Sequence, residues 1–242
     1  MVTRVAVVGA TGRMGRLALD LIGDAPDLEV AATLDSRTPL EAIQGSDLVL
    51  DVRAPAASPG IVDAALERGI PALVGTSGWS AERLATLEQR LRELPDLGVI
   101  VVPNFSIGSV LATRCAEIAA TYFDSAEIVE AHHAGKVDSP SGTAIRTAER
   151  MAAARRELGP VAAPHADQRA RGQQVASIPV HSLRLAGVEA RQEVIFGGTG
   201  ETLRLTHDTY SSRAYEAGML LALRAAPGNH GLLVGLDALL TR

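Results

Sequence analysis

One stretch of the chain concentrates side chains able to move protons and hold anions: Glu127-Ile128-Val129-Glu130-Ala131-His132-His133-Ala134-Gly135-Lys136-Val137-Asp138-Ser139-Pro140-Ser141-Gly142-Thr143-Ala144. Its first half reads as a strand ending in two histidines; its second reads as a Pro-Ser-Gly-Thr turn that opens a helix. An imidazole gains or loses a proton near neutral pH, so His132 is a candidate acid or base. Lys136 adds a compact positive charge a few residues on. A helix start leaves N–H groups without intrahelical partners. With two hydroxyls beside them, Ser141, Gly142 and Thr143 form a ready site for a carboxylate or phosphate. A cation, an anion hole and a proton donor in so short a span point to an enzyme acting on a carboxylated substrate. The plainer alternative is a capped helix following a solvated, histidine-containing loop. A metal centre on His132 and His133 is not expected, because no third ligand stands at a recognisable spacing.

A second constellation lies at the start of the chain. Gly9-Ala10-Thr11-Gly12-Arg13-Met14-Gly15 follows an apolar run and opens a helical pattern. Glycines at such a turn let backbone N–H groups approach a pyrophosphate at a helix N-terminus. The spacing is G-x-x-G-x-x-G, and Asp35 ends the next apolar run, where an acid would bond the adenosine ribose. Arg13 and Arg37 are placed to meet a ribose 2′-phosphate, so NADPH and NADH both remain candidate cofactors. The competing readings are a glycine turn that only packs helix on sheet, a turn cap at Asp35, and solvated arginines.

These residues need elements to position them. Apolar, β-branched runs at Val5–Val8, Val30–Leu34, Leu48–Val52, Pro71–Val74 and Val99–Val102 predict buried parallel strands. Helical patterns at Met14–Ile22, Ile61–Glu67 and Ala81–Leu94 alternate with them, which predicts a doubly wound α/β sheet. After residue 103 the rhythm changes to a helix at Ile107–Tyr122, a strand at Ala126–His132 and a helix from Thr143 to Leu158. A loop at Gly159–Ala176 follows, then strands at Ile178–Leu185, Glu189–Phe196 and Glu201–Thr206. Gly-containing turns between these last strands predict antiparallel neighbours. A helix at Ser212–Ala225 and a short apolar tail close the chain. The expected organisation is a Rossmann-like dinucleotide-binding domain (residues 1–103 with 213–242) carrying an inserted α+β substrate-binding and oligomerisation domain (104–212).

Composition sets the outer limits. Of 242 residues, 23 are basic against 28 acidic, a net charge of −5 that argues against a general nucleic-acid binder. An anionic ligand must therefore be held by a local cluster working against the average. Lys136 is the sole lysine; every other basic residue is arginine. An Arg- and Ala-rich genome explains why lysine is rare, and the proposed chemistry explains why one remains, since arginine does not give up a proton. The single Cys115 excludes a disulfide framework and a cysteine metal site. No apolar run is long enough to span a bilayer, and Met1-Val2-Thr3-Arg4 leads straight into a strand. Neither a membrane partner nor a signal peptide is expected, and the location expected is the cytoplasm.

The 127–144 segment resembles the signature of the 4-hydroxy-tetrahydrodipicolinate reductase (dihydrodipicolinate reductase) family, Glu-Ile/Val-x-Glu-x-His-x-x-x-Lys-x-Asp-x-Pro-Ser-Gly-Thr-Ala, which it meets without a gap. The resemblance extends over nearly the whole chain through Gly9–Gly15, Gly75-Thr76-Ser77-Gly78, Pro103-Asn104-Phe105-Ser106-Ile107-Gly108, and Gly200-Glu201 before His207. It implies His132 as catalytic acid/base and Lys136 as its cationic partner. It implies Ser141, Gly142 and Thr143 as the grip on a carboxylate of a small dicarboxylate substrate, with His133 lining the same pocket. Gly75, Thr76 and Ser77, with Pro103, Asn104 and Phe105, would cradle the nicotinamide end of NADPH or NADH. Gly9, Ala10, Thr11, Gly12, Arg13, Met14, Gly15, Asp35 and Arg37 would hold the rest. The family further implies a homotetramer formed through the second domain's sheet.

Two places depart from the family pattern. Asp51-Val52-Arg53 stands where Asp-Phe-Thr or Asp-Phe-Ser is usual, and Ala134-Gly135 replaces a bulkier pair. Those departures support a diverged reductase of another carboxylated imine as the nearest alternative. A nucleotide-sensing protein without turnover is the alternative from another class.

Overall fold

Valine- and leucine-rich runs too short for helices become strands through the first hundred residues. The computed structural model describes residues 2–240. In chain order come β1 (Thr3–Val8), α1 (Arg13–Asp24), β2 (Leu28–Leu34), β3 (Leu48–Asp51), α2 (Ser58–Leu66), β4 (Ala72–Val74), α3 (Ala81–Arg92) and β5 (Gly98–Val101). The strands are parallel, and β1, β3, β4 and β5 are almost wholly buried, as expected of a sheet covered on both faces. A 3-10 turn at Leu40–Ile43 replaces the crossover helix between β2 and β3. Ala18 and Ile22 bury one stripe of α1 in the usual three-to-four-residue rhythm.

The apolar tail supplies a strand that periodicity does not announce. β11 (Gly231–Val234) pairs with β5 and gives a six-stranded parallel sheet in the order β11-β5-β4-β3-β1-β2. All four of its residues are only half-buried, too weak a pattern to distinguish strand from tail. The chain forms two compact units, Met1–Ile107 with Tyr215–Arg242, and Gly108–Ala214. The first unit regains the chain through α6 (Glu216–Ala225), which follows a 3-10 turn at Ser212–Tyr215.

The second unit contains α4 (Ile107–Ala120), β6 (Ser125–His133), α5 (Gly142–Ala154), β7 (Gln173–Val175), β8 (Ile178–Leu185), β9 (Ala190–Gly198) and β10 (Glu201–Thr209). Its sheet order is β10-β9-β6-β8-β7. This corrects the turn-based expectation: β9 and β10 form an antiparallel pair, but β6 lies between β8 and β9. Strands sit about 4.8 Å apart, so the step across β6 is roughly 10 Å. The Ala186-Gly187-Val188-Glu189 connection is long enough to make it. β7 lies in the segment expected to be loop. Its hairpin to β8 turns on Ala176 and Ser177, with φ of 49° and 70°, so the usual glycine cue is missing. One face of this sheet packs Ala126, Ile128, Val180, Val194 and Phe196 against Ala116, Ala120, Ala148 and Met151 of α4 and α5.

Candidate active site

The two-residue period of β6 sorts its side chains. Ala126, Ile128, Glu130 and His132 share the face turned to α4 and α5. Register carries that face across the sheet. Phe196 lies beside Ala126, Val194 and Val180 flank Ile128, Gln192 and Ser182 flank Glu130, and Ala190 and Arg184 flank His132. The face thus passes from apolar to ionic along the strand, and the candidate proton-transfer groups sit at the ionic end.

Glu130 is wholly buried and takes several donors. Its Oε2 accepts from His132 Nδ1 at 2.6 Å and Arg184 Nη1 at 2.9 Å, and its Oε1 accepts from Arg184 Nη2 at 3.0 Å and Ser141 N at 3.2 Å. Burial alone would raise the Glu130 pKa, but the Arg184, Ser182 and His132 bonds outweigh it and hold the carboxyl below its ordinary range. An ionised carboxylate only accepts, so His132 must donate from Nδ1. Its Nε2 is left to carry the exchangeable proton. Burial pushes the His132 pKa down, Lys136 and Arg184 add to that, and Glu130 opposes it.

Lys136 follows a turn closed by its N–H donating to His133 O at 3.1 Å. Its Nζ bonds both oxygens of Asp138, at 2.7 and 2.8 Å, and lowers the Asp138 pKa. Arg184 donates to Lys136 O at 3.3 Å and to Asp138 O at 2.6 Å, so the loop backbone is tied to β8. At the start of α5 the Ser141 hydroxyl accepts from Ala144 N at 3.2 Å. That hydroxyl is therefore the helix cap, and the Ser141 N–H is engaged by Glu130. Gly142 is exposed, and a Cβ built there meets nothing within 4 Å, which leaves the helix start open to an anion. His132, Lys136, Ser141, Gly142 and Thr143 are thus drawn to one end of one unit. His133 differs: by the strand period it leaves β6 on the opposite face from His132, and it is exposed. Among the described residues no group of three or more His, Cys, Asp or Glu side chains is arranged to hold a metal.

The nucleotide constellation occupies the carboxyl ends of the parallel strands, where ligands of such sheets bind. Gly9 and Ala10 donate to Leu34 O at 2.8 and 3.2 Å, pinning the loop after β1 to the end of β2. Gly9 has φ +96°, and a Cβ on it would lie 2.8 Å from the Arg53 backbone. A Cβ on Gly15 would lie 2.2 Å from Gly9 O, so this glycine sets how closely α1 approaches the turn. Gly12 has ordinary φ, and a Cβ there would meet only Gly9 O, at 3.3 Å. That contact is tight by only a few tenths of an ångström, so neither backbone strain nor severe crowding demands glycine there, and the bare backbone leaves room for a ligand. No side chain caps α1 and no acid stands in its first turn, so its N-terminal N–H groups fit a pyrophosphate. Thr11 and Arg13 are exposed beside them, and Met14 is half-buried.

Asp35 caps its own turn. Its Oδ1 accepts from Arg37 N, Thr38 N and Thr38 Oγ1 at 2.8, 3.0 and 2.9 Å, and these bonds hold its pKa below the ordinary value. Gly75 donates to Asp51 O, and so does the Thr76 hydroxyl. Ser77 and Pro103 are exposed, while Asn104 Oδ1 accepts from Ser106 N at 2.9 Å. Phe105 is 3% exposed, and its ring fills the space a Cβ on Gly75 would need, at 2.5 Å. It shapes this corner from beneath. Arg53 is exposed, and its N–H donates to the buried Asp51, whose pKa burial raises.

Glu130, Asp138 and Arg184 join the cluster without having been expected there from their residue types and spacing. Glu130 stands two residues before His132 on one strand, a spacing that places both on one face and was a usable signal. Arg184 is 48 residues from Lys136, and nothing local announces it.

A Rossmann-type sheet with a glycine turn after β1 and an acid after β2, joined to a unit bearing an imidazole, an ammonium and an open helix start, defines a nicotinamide-nucleotide oxidoreductase. Residues 3–105 match the N-terminal family of dihydrodipicolinate reductase and residues 108–240 its C-terminal family. The chain belongs to the dihydrodipicolinate reductase family. It is 57% identical over 240 residues to the 4-hydroxy-tetrahydrodipicolinate reductase of Clavibacter michiganensis subsp. michiganensis, covering 99% of this chain and 87% of that protein. The enzyme of that name from Streptomyces griseus is 46% identical, covering 97% and 96%. A dipicolinate-bound dihydrodipicolinate reductase from Paenisporosarcina sp. TG-14 is similar in structure, with a TM-score of 0.84 at 31% identity, covering 98% of this chain and 99% of that one.

Proposed function

We propose that the protein reduces 4-hydroxy-tetrahydrodipicolinate to tetrahydrodipicolinate in diaminopimelate and lysine biosynthesis, using NADH or NADPH. The observation that carries this reading is the gathering of His132, the Lys136 loop and the α5 start around Glu130. When bound, the nicotinamide cofactor supplies a hydride to ring C4 of the conjugated imine left by loss of water. His132 Nε2 holds the proton destined for the adjacent carbon. Two substrate carboxylates favour the imidazolium form, countering the burial that lowers its pKa. Lys136 exchanges Asp138 for the substrate's developing negative charge, which is how an acidic chain finds a local cation. Gly142 and Thr143 hold one carboxylate at the start of α5, with Ser141 fixing that start as its cap and His133 at the rim. Gly9–Gly15 take the pyrophosphate, Asp35 a ribose hydroxyl, and Arg13 or Arg37 a 2′-phosphate. Gly75–Ser77 and Pro103–Phe105 border the nicotinamide.

The test is NADPH and NADH oxidation with freshly generated hydroxy-tetrahydrodipicolinate; oxidation of neither would overturn the proposal. In the same assay Thr143→Ala is expected to raise KM about tenfold or more, since a hydrogen bond to a charged group contributes roughly 1.5–3 kcal/mol, while kcat changes little. An unchanged KM would remove Thr143 from the carboxylate site.

The proposal includes a homotetramer. Leu183 and Leu185 are exposed on the sheet face opposite Glu130, an apolar surface suited to a second copy. A monomer mass by light scattering at assay concentration would refute this. A cytoplasmic location fits such an enzyme, and among the described residues no helix is long and apolar enough to cross a membrane.

A further inference from the structure

We infer that Glu130 is the positioning residue that sets the tautomer of His132 and holds three parts of the site in register. The inference rests on the reductase reading for its kinetic consequences, but its structural content stands apart from substrate identity. The Glu130 side chain is 0% exposed. It contacts His132 on its own strand, Arg184 on β8 and the backbone N–H of Ser141 at the cap of α5. Through Arg184 it also governs the backbone of Lys136 and Asp138. Four N–H bonds converge on one carboxylate, with the Ser182 hydroxyl as a further donor, and each N–H comes from a different functional part or from the arginine that carries one.

The chemistry depends on a carboxylate rather than any buried polar group. With both oxygens accepting, Nδ1 of His132 is fixed as a donor and Nε2 is the titrating atom. An amide presents one acceptor and two donors to the same four N–H groups. Its NH2 end would face Arg184 in either orientation, together with His132 in one and the Ser141 N–H in the other. Against His132 it favours the other tautomer, with Nδ1 accepting and Nε2 carrying a hydrogen even in the neutral ring. That form cannot use Nε2 to take a proton back. The charged groups around His132 are Glu130 on its own strand, Arg184 on β8, and Lys136 and Asp138 in the following loop. β9 offers uncharged Ala190, and α5 reaches the cluster through the Ser141 N–H. Of these Glu130 raises the His132 pKa, while Lys136 and Arg184 lower it. Removing the Glu130 charge therefore leaves burial and two cations acting with less opposition. His132 loses its proton at lower pH, and the alkaline limb of kcat moves to lower pH.

The experiment compares the full-length wild type with E130Q and E130D. It uses nitrogen-15 NMR of the histidines to read the His132 tautomer and titration, His132→Ala to assign the resonance, and kcat against pH. NADPH binding and thermal unfolding report whether each variant is folded. The expected result for E130Q is an altered His132 tautomer, an alkaline limb at lower pH and kcat down by about 100-fold, within the range acid–base groups contribute. E130D, which keeps the charge, is expected to retain the Nδ1-protonated tautomer and recover kcat to within about tenfold. A folded E130Q with the wild-type tautomer and the wild-type limb overturns the inference. If E130Q does not fold, E130D decides: a retained tautomer and limb support the inference, and wild-type kcat with a lost tautomer overturns it. A wild type that oxidises neither nucleotide defeats the reductase reading instead, while the NMR comparison still decides the role of Glu130.

Discussion

Lys136→Ala is expected to lower kcat by about two to four orders of magnitude, the range assigned to a positioned proton-handling group, with a smaller change in KM. The loss is not expected to come from unfolding. The pair Lys136 makes with Asp138 has one partner 61% exposed. Such a pair contributes about 0–1 kcal/mol, so the unfolding midpoint should hardly move. Lys136→Arg is expected to keep the charge and the Asp138 contact yet recover little activity. A guanidinium is planar, does not release a proton, and cannot replace a compact ammonium at a developing carbanion. Because the chain has no other lysine, amine-directed labelling reads this side chain with only the N-terminal amine as background. Substrate should protect it. Unchanged turnover in Lys136→Ala would sink the catalytic assignment, whereas lost turnover with a collapsed unfolding midpoint would point to structure.

Gly15→Ala is expected to abolish tight nucleotide binding and to destabilise the protein by about 1–3 kcal/mol, the usual effect of forcing an added methyl into packed surroundings. The added Cβ would sit 2.2 Å from Gly9 O, 2.7 Å from Ala10 Cα and 2.8 Å from Gly9 C. All three are backbone atoms, so α1 or the glycine turn must move. Either movement disturbs the N–H array proposed to face the pyrophosphate. Gly23→Ala in the same helix supplies the control. Gly23 is exposed, and a Cβ there meets nothing within 4 Å. It should gain about 0.5–1 kcal/mol from helix propensity alone, with nucleotide affinity untouched. Thermal unfolding and NADPH fluorescence titration check both. Equal affinity in Gly15→Ala and wild type would show that the turn does not carry the pyrophosphate.

The candidate site is legible in the sequence largely because its parts are close along the chain. His132, Lys136 and the Ser141–Thr143 helix start fall within one segment, and local rules suffice for each: strand period, the charge of an ammonium, unpaired N–H groups at a helix start. The roles were less legible than the residues. Ser141 caps α5 and lends its N–H to Glu130. Asp35 closes its own turn through Oδ1. Phe105 supports Gly75 from the core. In each case a polar or aromatic group suited to a ligand already has a partner inside the protein, and sequence spacing does not show which partner prevails.

The sequence by itself determined the alternation of strand and helix, the glycine turn after β1, and the residues available for proton transfer and anion binding. All of these depend on neighbours within a few positions along the chain. Tertiary structure decided which strands lie side by side. It placed β6 between β8 and β9, recruited the weakly patterned β11 beside β5, and brought Arg184 to Glu130 across 54 residues. The physical reason is that backbone pairing between strands is chemically uniform. Any strand can bond any other, and the choice falls to the side chains each face must bury or satisfy. Here the choice put one ionised carboxylate beneath a histidine and an arginine beside it, which makes the local cluster a candidate catalytic site.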